Sequence, residues 1–181
     1  MSARLVNPVG EHDHVRGASD AKITLVEYGD YECPYCGQAY PIVEQLLATF
    51  ASDLRLVFRN LPLADVHPHA AAAAEVAEAV GEQGEDKFWA MHDTLYQHQR
   101  ALGTEALEGY VRDVGADPAA VQVALSSGRA SARVEADLEG AIRSGANGTP
   151  TFFVNGVRYD ESWSYETFEG YLRAVLATPS E

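Results

Sequence analysis

Cysteine is nearly absent. The 181 residues carry two, Cys33 and Cys36, and no third cysteine stands elsewhere to pair with either. A fold-wide disulfide framework is excluded, because this pair closes only a tiny loop and so restricts the unfolded chain little. Basic residues are also scarce: 13 Lys and Arg face 27 Asp and Glu, a formal net charge of −14. Such a surface repels phosphate backbones and anionic lipid, so neither nucleic acid nor a membrane surface is expected as a partner. Long hydrophobic runs are missing as well. The stretch Ala70 to Ala74 is far too short to span a bilayer. Near the start, Arg4, Asn7, Pro8 and Glu11-His12-Asp13-His14 interrupt any apolar stretch, so no secretory signal is legible and a cytoplasmic location is expected. No P-loop, His-Glu-x-x-His or Gly-x-Ser-x-Gly occurs, which leaves phosphoryl transfer, zinc proteolysis and serine hydrolysis without support.

What is present is ordinary for a globular chain: 46% hydrophobic and 22% charged residues. The length suits one cored domain, or one domain carrying an insertion. Residues 1–20 read as a polar leader with room for one short edge strand. Lys22 to Gly29 is β-branched and apolar and predicts a buried strand. A helix is expected from Cys33. Pro34 suits its first turn, Cys36, Tyr40, Val43, Leu47 and Phe50 share one face, and Pro41 predicts a kink. Leu54 to Leu61 alternates as a second strand. Strand, helix and strand within about forty residues make a βαβ unit with parallel strands. Helices follow at His67–Gly81, Glu85–Gln99, Thr104–Val114, Pro118–Ser126 and Ala130–Ser144, with glycines near their ends. Thr151 to Val154, the turn signal Asn155-Gly156 and Val157 to Tyr159 read as a hairpin. Phe168, Tyr171, Leu172, Val175 and Leu176 form the apolar face of a last helix. The intervening block of about eighty residues is too long for a loop. The expected class is therefore α/β, β-α-β … β-β-α, with residues 21–61 and 148–178 as one domain and 62–147 as an inserted helical subdomain.

The chemistry points to Cys33-Pro34-Tyr35-Cys36, between a strand and a helix. Two such cysteines can close a reversible disulfide. The first faces unsatisfied backbone N–H groups and the positive end of the helix dipole, which favour thiolate. Stabilising that thiolate stabilises the dithiol form and makes the disulfide more oxidising. Cys33 is then the sulfur that attacks and Cys36 the one that resolves. Other readings stand beside this one. Zinc would need about four ligands, and His67 and His69 would have to join the two cysteines. His67-Pro68-His69 reads more simply as the exposed start of a helix. His12, His14, His92 and His98 show no ligand spacing and read as surface residues. Asp30 and Glu32, beside the motif, either raise the thiolate pKa or are solvated loop residues. Phe88, Trp89, Met91 and Leu95 read as core of the insertion.

Ile23-Thr-Leu-Val-Glu-Tyr-Gly-Asp30, Cys33-Pro-Tyr-Cys36 and Gly148-Thr-Pro-Thr-Phe-Phe-Val-Asn-Gly156 together resemble the DsbA-like branch of the thioredoxin-fold thiol–disulfide oxidoreductases. The chain is also similar to the thioredoxin-like domains fused to some sodium/proton antiporters. The resemblance covers nearly everything past residue 15. It implies a thioredoxin fold with a helical insertion, and protein thiols or disulfides as substrates. It further implies a separate recycling partner, and no metal or organic cofactor beyond the Cys33–Cys36 couple. Pro150 matches the family's cis-proline, which with Thr149 faces the cysteines and binds extended substrate, beside Pro34 and Tyr35. Glu27 matches the family's buried acidic position, and the strand pattern sets it on one face with Ile23 and Leu25; there it either shuttles a proton for Cys36 or is a buried carboxylate satisfied by backbone donors. Tyr35 stands where the strongly oxidising founders carry a histidine, which removes one cationic partner of the thiolate. A redox-sensing module that gates a partner such as a transporter is the alternative of another class.

Overall fold

The computed structural model describes residues 3–178. Strand β1 (His14–Gly17) is the edge strand of the leader, and β2 (Ile23–Gly29) follows it. Helix α1 (Pro34–Thr49) leads into β3 (Leu54–Asn60). Five helices come next: α2 (Ala70–Gly81), α3 (Glu85–Gln97), α4 (Thr104–Asp113), α5 (Pro118–Ser126) and α6 (Arg129–Arg143). The chain closes with β4 (Thr151–Val154), β5 (Val157–Tyr159) and α7 (Tyr165–Ala177). The sheet has five strands in the order β1-β3-β2-β4-β5. β2 and β3 are parallel, as their βαβ connection requires, and the other neighbours pair antiparallel.

Alternation along β2 divides the core. Ile23 and Leu25 face one apolar cluster, with Leu54, Leu56, Phe58, Phe152 and the buried stripe of α1 (Cys36, Ala39, Val43, Leu46). Val26 and Tyr28 face another, with Val57, Phe153, Ala141 and Ala146. The helix α1 carries on across Pro41, which lies on its exposed side. The hairpin turn is built as its residues demand: Asn155 and Gly156 both take positive φ, 48° and 79°. Asn155 Oδ1 also accepts from Thr24 N–H at 2.8 Å, which ties the hairpin to the start of β2.

The leader does more than add an edge strand. Arg4 bridges to Val157, Leu5 N–H donates to Gly156 O and Arg158 N–H donates to Ala3 O, each at 2.9 Å for the two hydrogen bonds. Residues 3–5 thus run along β5 at the other edge of the sheet. The first inserted helix starts at Ala70 rather than His67. Pro68 disfavours helical geometry at the residue before it, and His67 is engaged elsewhere. Phe88, Trp89, Met91 and Leu95 are buried, as expected of core. No helix among the described residues is long and apolar enough to cross a membrane.

Candidate active site

Gly29 ends β2, and the turn Asp30–Glu32 carries the chain to α1. Cys33 takes the N-cap position with extended backbone, φ −70° and ψ 122°, and Pro34 opens the helix. Cys36 is fully buried beneath it, and both cysteines are free thiols. The pair is asymmetric. Cys33 is lowered to about 5, chiefly by a hydrogen bond from the Cys36 thiol, which outweighs burial. The N–H groups of Cys36 and Tyr35 add to this lowering. Cys36 is pushed well above its usual value by burial, by that same hydrogen bond and by the nearby charge of Glu27. One thiol is therefore poised as a thiolate and the other is held protonated.

Pro150 lies across from the cysteines. Cys33 Sγ sits 3.6 Å from the Thr149 carbonyl oxygen, and the Thr149–Pro150 peptide bond is cis. Tyr35 is 62% exposed and Pro34 is exposed beside it. Glu27 is 2% exposed, between Phe58 of β3 and Phe152 of β4 in the sheet register. Its Oε1 has no hydrogen-bond partner among the described residues. Burial pushes its carboxyl up to about 8, with the charge of Glu44 adding to the effect. The structure thus gathers Cys33, Cys36, Thr149, Pro150, Pro34 and Tyr35 at one place, with Glu27 near enough for its charge to act on Cys36.

Several residues behave differently from their sequence reading. Asp30 is buried rather than solvated. It accepts hydrogen bonds from Glu32 N–H at 2.8 Å, Leu63 N–H at 2.9 Å and His67 Nδ1 at 2.7 Å. Glu32 accepts from His69 N–H at 2.6 Å. Burial alone would lower His67, but the hydrogen bond and charge of Asp30 outweigh it and raise its pKa. The segment before α2 is thus laced to the turn before Cys33. His14 and His92 are buried, not at the surface. His92 lies within an aromatic nest and meets the Tyr31 hydroxyl at 3.1 Å; its place on the Phe88, Trp89, Leu95 face of α3 was the available signal. His67 and His69 do not complete a metal set: among the described residues no three His, Cys, Asp or Glu side chains come together as a metal site.

A sheet in this order, five helices between β3 and β4 and a Cys-x-x-Cys pair at the head of α1 define a DsbA-like member of the thioredoxin fold. The chain belongs to the thioredoxin family, whose profile matches residues 10–174. It is 47% identical over 167 residues to "Na(+)/H(+) antiporter NhaA 1" of Salinispora arenicola, covering 92% of this chain and 25% of that one. A second relative, "Na(+)/H(+) antiporter NhaA" of Herminiimonas arsenicoxydans, is 44% identical, with 91% and 26% covered. The chain spans about a quarter of the length of the curated relatives it matches. Among solved structures, oxidised BdbD from Bacillus subtilis shares the fold at a TM-score of 0.86 and 23% identity, covering 98% of this chain and all (100%) of that one. A thioredoxin-like oxidoreductase from Silicibacter pomeroyi matches at 0.81 and 27% identity, with 93% and 95% covered.

Proposed function

We propose that the protein is a thiol–disulfide oxidoreductase acting through Cys33. The observation that carries this reading is the asymmetry of the two thiols: Cys33 lowered to about 5 at the head of α1, Cys36 raised and buried beneath it. The family and the thioredoxin-like oxidoreductase from Silicibacter pomeroyi support the same class of chemistry. In the reductive direction the Cys33 thiolate attacks one sulfur of a substrate disulfide. A Cys33–substrate bond forms, the substrate S–S bond breaks, and the released thiolate takes a proton from solvent. Cys36 then gives its proton to the ionised form of Glu27, which is populated as pH approaches its raised pKa of about 8, and attacks the Cys33 sulfur. The Cys33–Cys36 disulfide closes and the second substrate sulfur leaves as a thiolate that takes the proton back from Glu27, so the substrate has gained two electrons and two protons. The oxidative direction reverses each step.

Thr149 and Pro150 hold extended substrate across from Cys33, with Pro34 and Tyr35 at the rim. The chemistry needs no metal or organic cofactor. With no third cysteine in the chain, electrons enter and leave through a separate redox partner. In a compartment poised near the glutathione couple, a pair of high potential rests as dithiol and works as an oxidant only when a partner reoxidises it. The measurement is dithiol–disulfide exchange with a model disulfide in a glutathione buffer, together with the equilibrium potential of the pair. Cys33→Ser abolishes exchange; full exchange in that variant overturns the mechanism.

The antiporter names of the relatives favour a second reading, in which the dithiol state gates binding to a transporter. Turnover separates the two: an enzyme processes many substrate disulfides per chain, whereas a sensor changes partner affinity and turns over poorly.

A further inference from the structure

Gln99 lies just beyond α3, in a turn closed by Ala101 N–H donating to His98 O at 2.8 Å. Its side chain crosses to the redox site. Nε2 donates to Tyr31 O at 2.8 Å and to Cys33 O at 2.9 Å. Both partners are carbonyl oxygens, so the orientation of the amide is fixed by chemistry and both of its hydrogens are spent. Cys33 O also accepts from Gly37 N–H at 3.1 Å, the bond that starts α1. The amide oxygen of Gln99 rests over Gly37, where a Cβ would overlap both that oxygen and the Gln99 Cδ. The glycine after Cys36 therefore leaves the space that Gln99 fills.

We propose that Gln99 is a positioning residue of the redox site. By holding the Tyr31 and Cys33 carbonyls it keeps the first turn of α1 in the shape that aims the Tyr35 and Cys36 N–H groups at the Cys33 sulfur. The helical block thereby gains a direct hold on the Cys33 backbone through this side chain. This inference rests on the redox reading of Cys33 but concerns only how its thiolate is held.

The test is the pH dependence of iodoacetamide alkylation of the reduced full chain, which reports the Cys33 thiolate without requiring turnover. Gln99→Ala and Gly37→Ala each raise the midpoint of Cys33 ionisation by about half to one unit. Alkylation at pH 5 then slows about two- to five-fold, while the rate at pH 8, where either protein is fully ionised, is unchanged. Gln99→Glu, which sets a carboxylate against two carbonyls, raises the midpoint further than the alanine. The double variant Gly37→Ala with Gln99→Ala goes no further than the larger single, because both remove one contact. Curves that superimpose on the parent, or a loss equal at both pH values, overturn the proposal. A parent chain that fails in disulfide exchange yet keeps these shifts overturns the enzyme reading and leaves the role of Gln99 standing.

Discussion

Among the described residues two glutamates are buried, and they are treated in opposite ways. Glu27 is 2% exposed and Glu78 is 6% exposed. Glu78 has a partner on each oxygen: Asn60 Nδ2 donates to Oε1 at 2.6 Å and His14 Nε2 meets Oε2 at 3.0 Å. The network continues to Glu85 through His14, and through the Asn60 backbone N–H to Asp137 at 2.9 Å and on to Arg133 at 2.7 Å. Glu27 has Oε1 left without a partner and phenylalanines on both sides in the register. Burial itself does not make a carboxylate reactive. A buried charge that is fully hydrogen-bonded serves the fold, whereas one denied partners keeps its proton to higher pH and can exchange it.

The comparison breaks first at Glu27. Its folded pKa, about 8, lies above the 4.5 of an ordinary glutamate. Between those values the unfolded chain releases the proton and the folded chain keeps it, so stability falls as pH rises through that window. The full loss is about 5 kcal/mol on the order of magnitude of that shift. Glu27→Gln removes this slope, so urea unfolding at pH 5 and pH 8 shows a far smaller difference than in the parent. The same variant slows closure of the Cys33–Cys36 disulfide. An unchanged slope would mean that Glu27 ionises like a solvent-exposed carboxyl.

The second break is at Glu78. Glu78→Ala strands the Asn60 amide and one face of His14, and costs about 2–4 kcal/mol of stability. The pH curve of Cys33 alkylation stays that of the parent. The smallest effect is at His14. Burial pulls its pKa down, but Glu78 and Glu85 outweigh burial and raise it. Its contribution is present in full below the ordinary value of 6.5 and is lost as pH rises through the raised folded value. His14→Gln therefore costs roughly 1–2 kcal/mol at pH 6 and less in alkaline solution, read by the same unfolding curves.

The elements were legible because hydrophobic period, proline and glycine all spoke to local backbone. The cysteine motif was legible because its function depends on a spacing of two positions at a strand–helix junction. Asp30 was not, since two of its three donors come from Leu63 and His67, far along the chain, and nothing beside it announces them. His14 was missed for the same reason: its acids lie on α2 and α3. Gln99 gave no signal at all, being a polar residue past a helix end. Contacts between distant segments decide these residues, and no local pattern records such contacts.

The leader has a consequence of another kind. A bare sheet edge offers unpaired backbone groups to any other strand and templates fibrillar association. Here one edge is finished by the short β1 and the other is covered by residues 3–5. A single nick after Gly17 that released the preceding residues would uncover both edges together. Proteolytic trimming of the leader would thus turn a self-limiting sheet into one that can stack end to end.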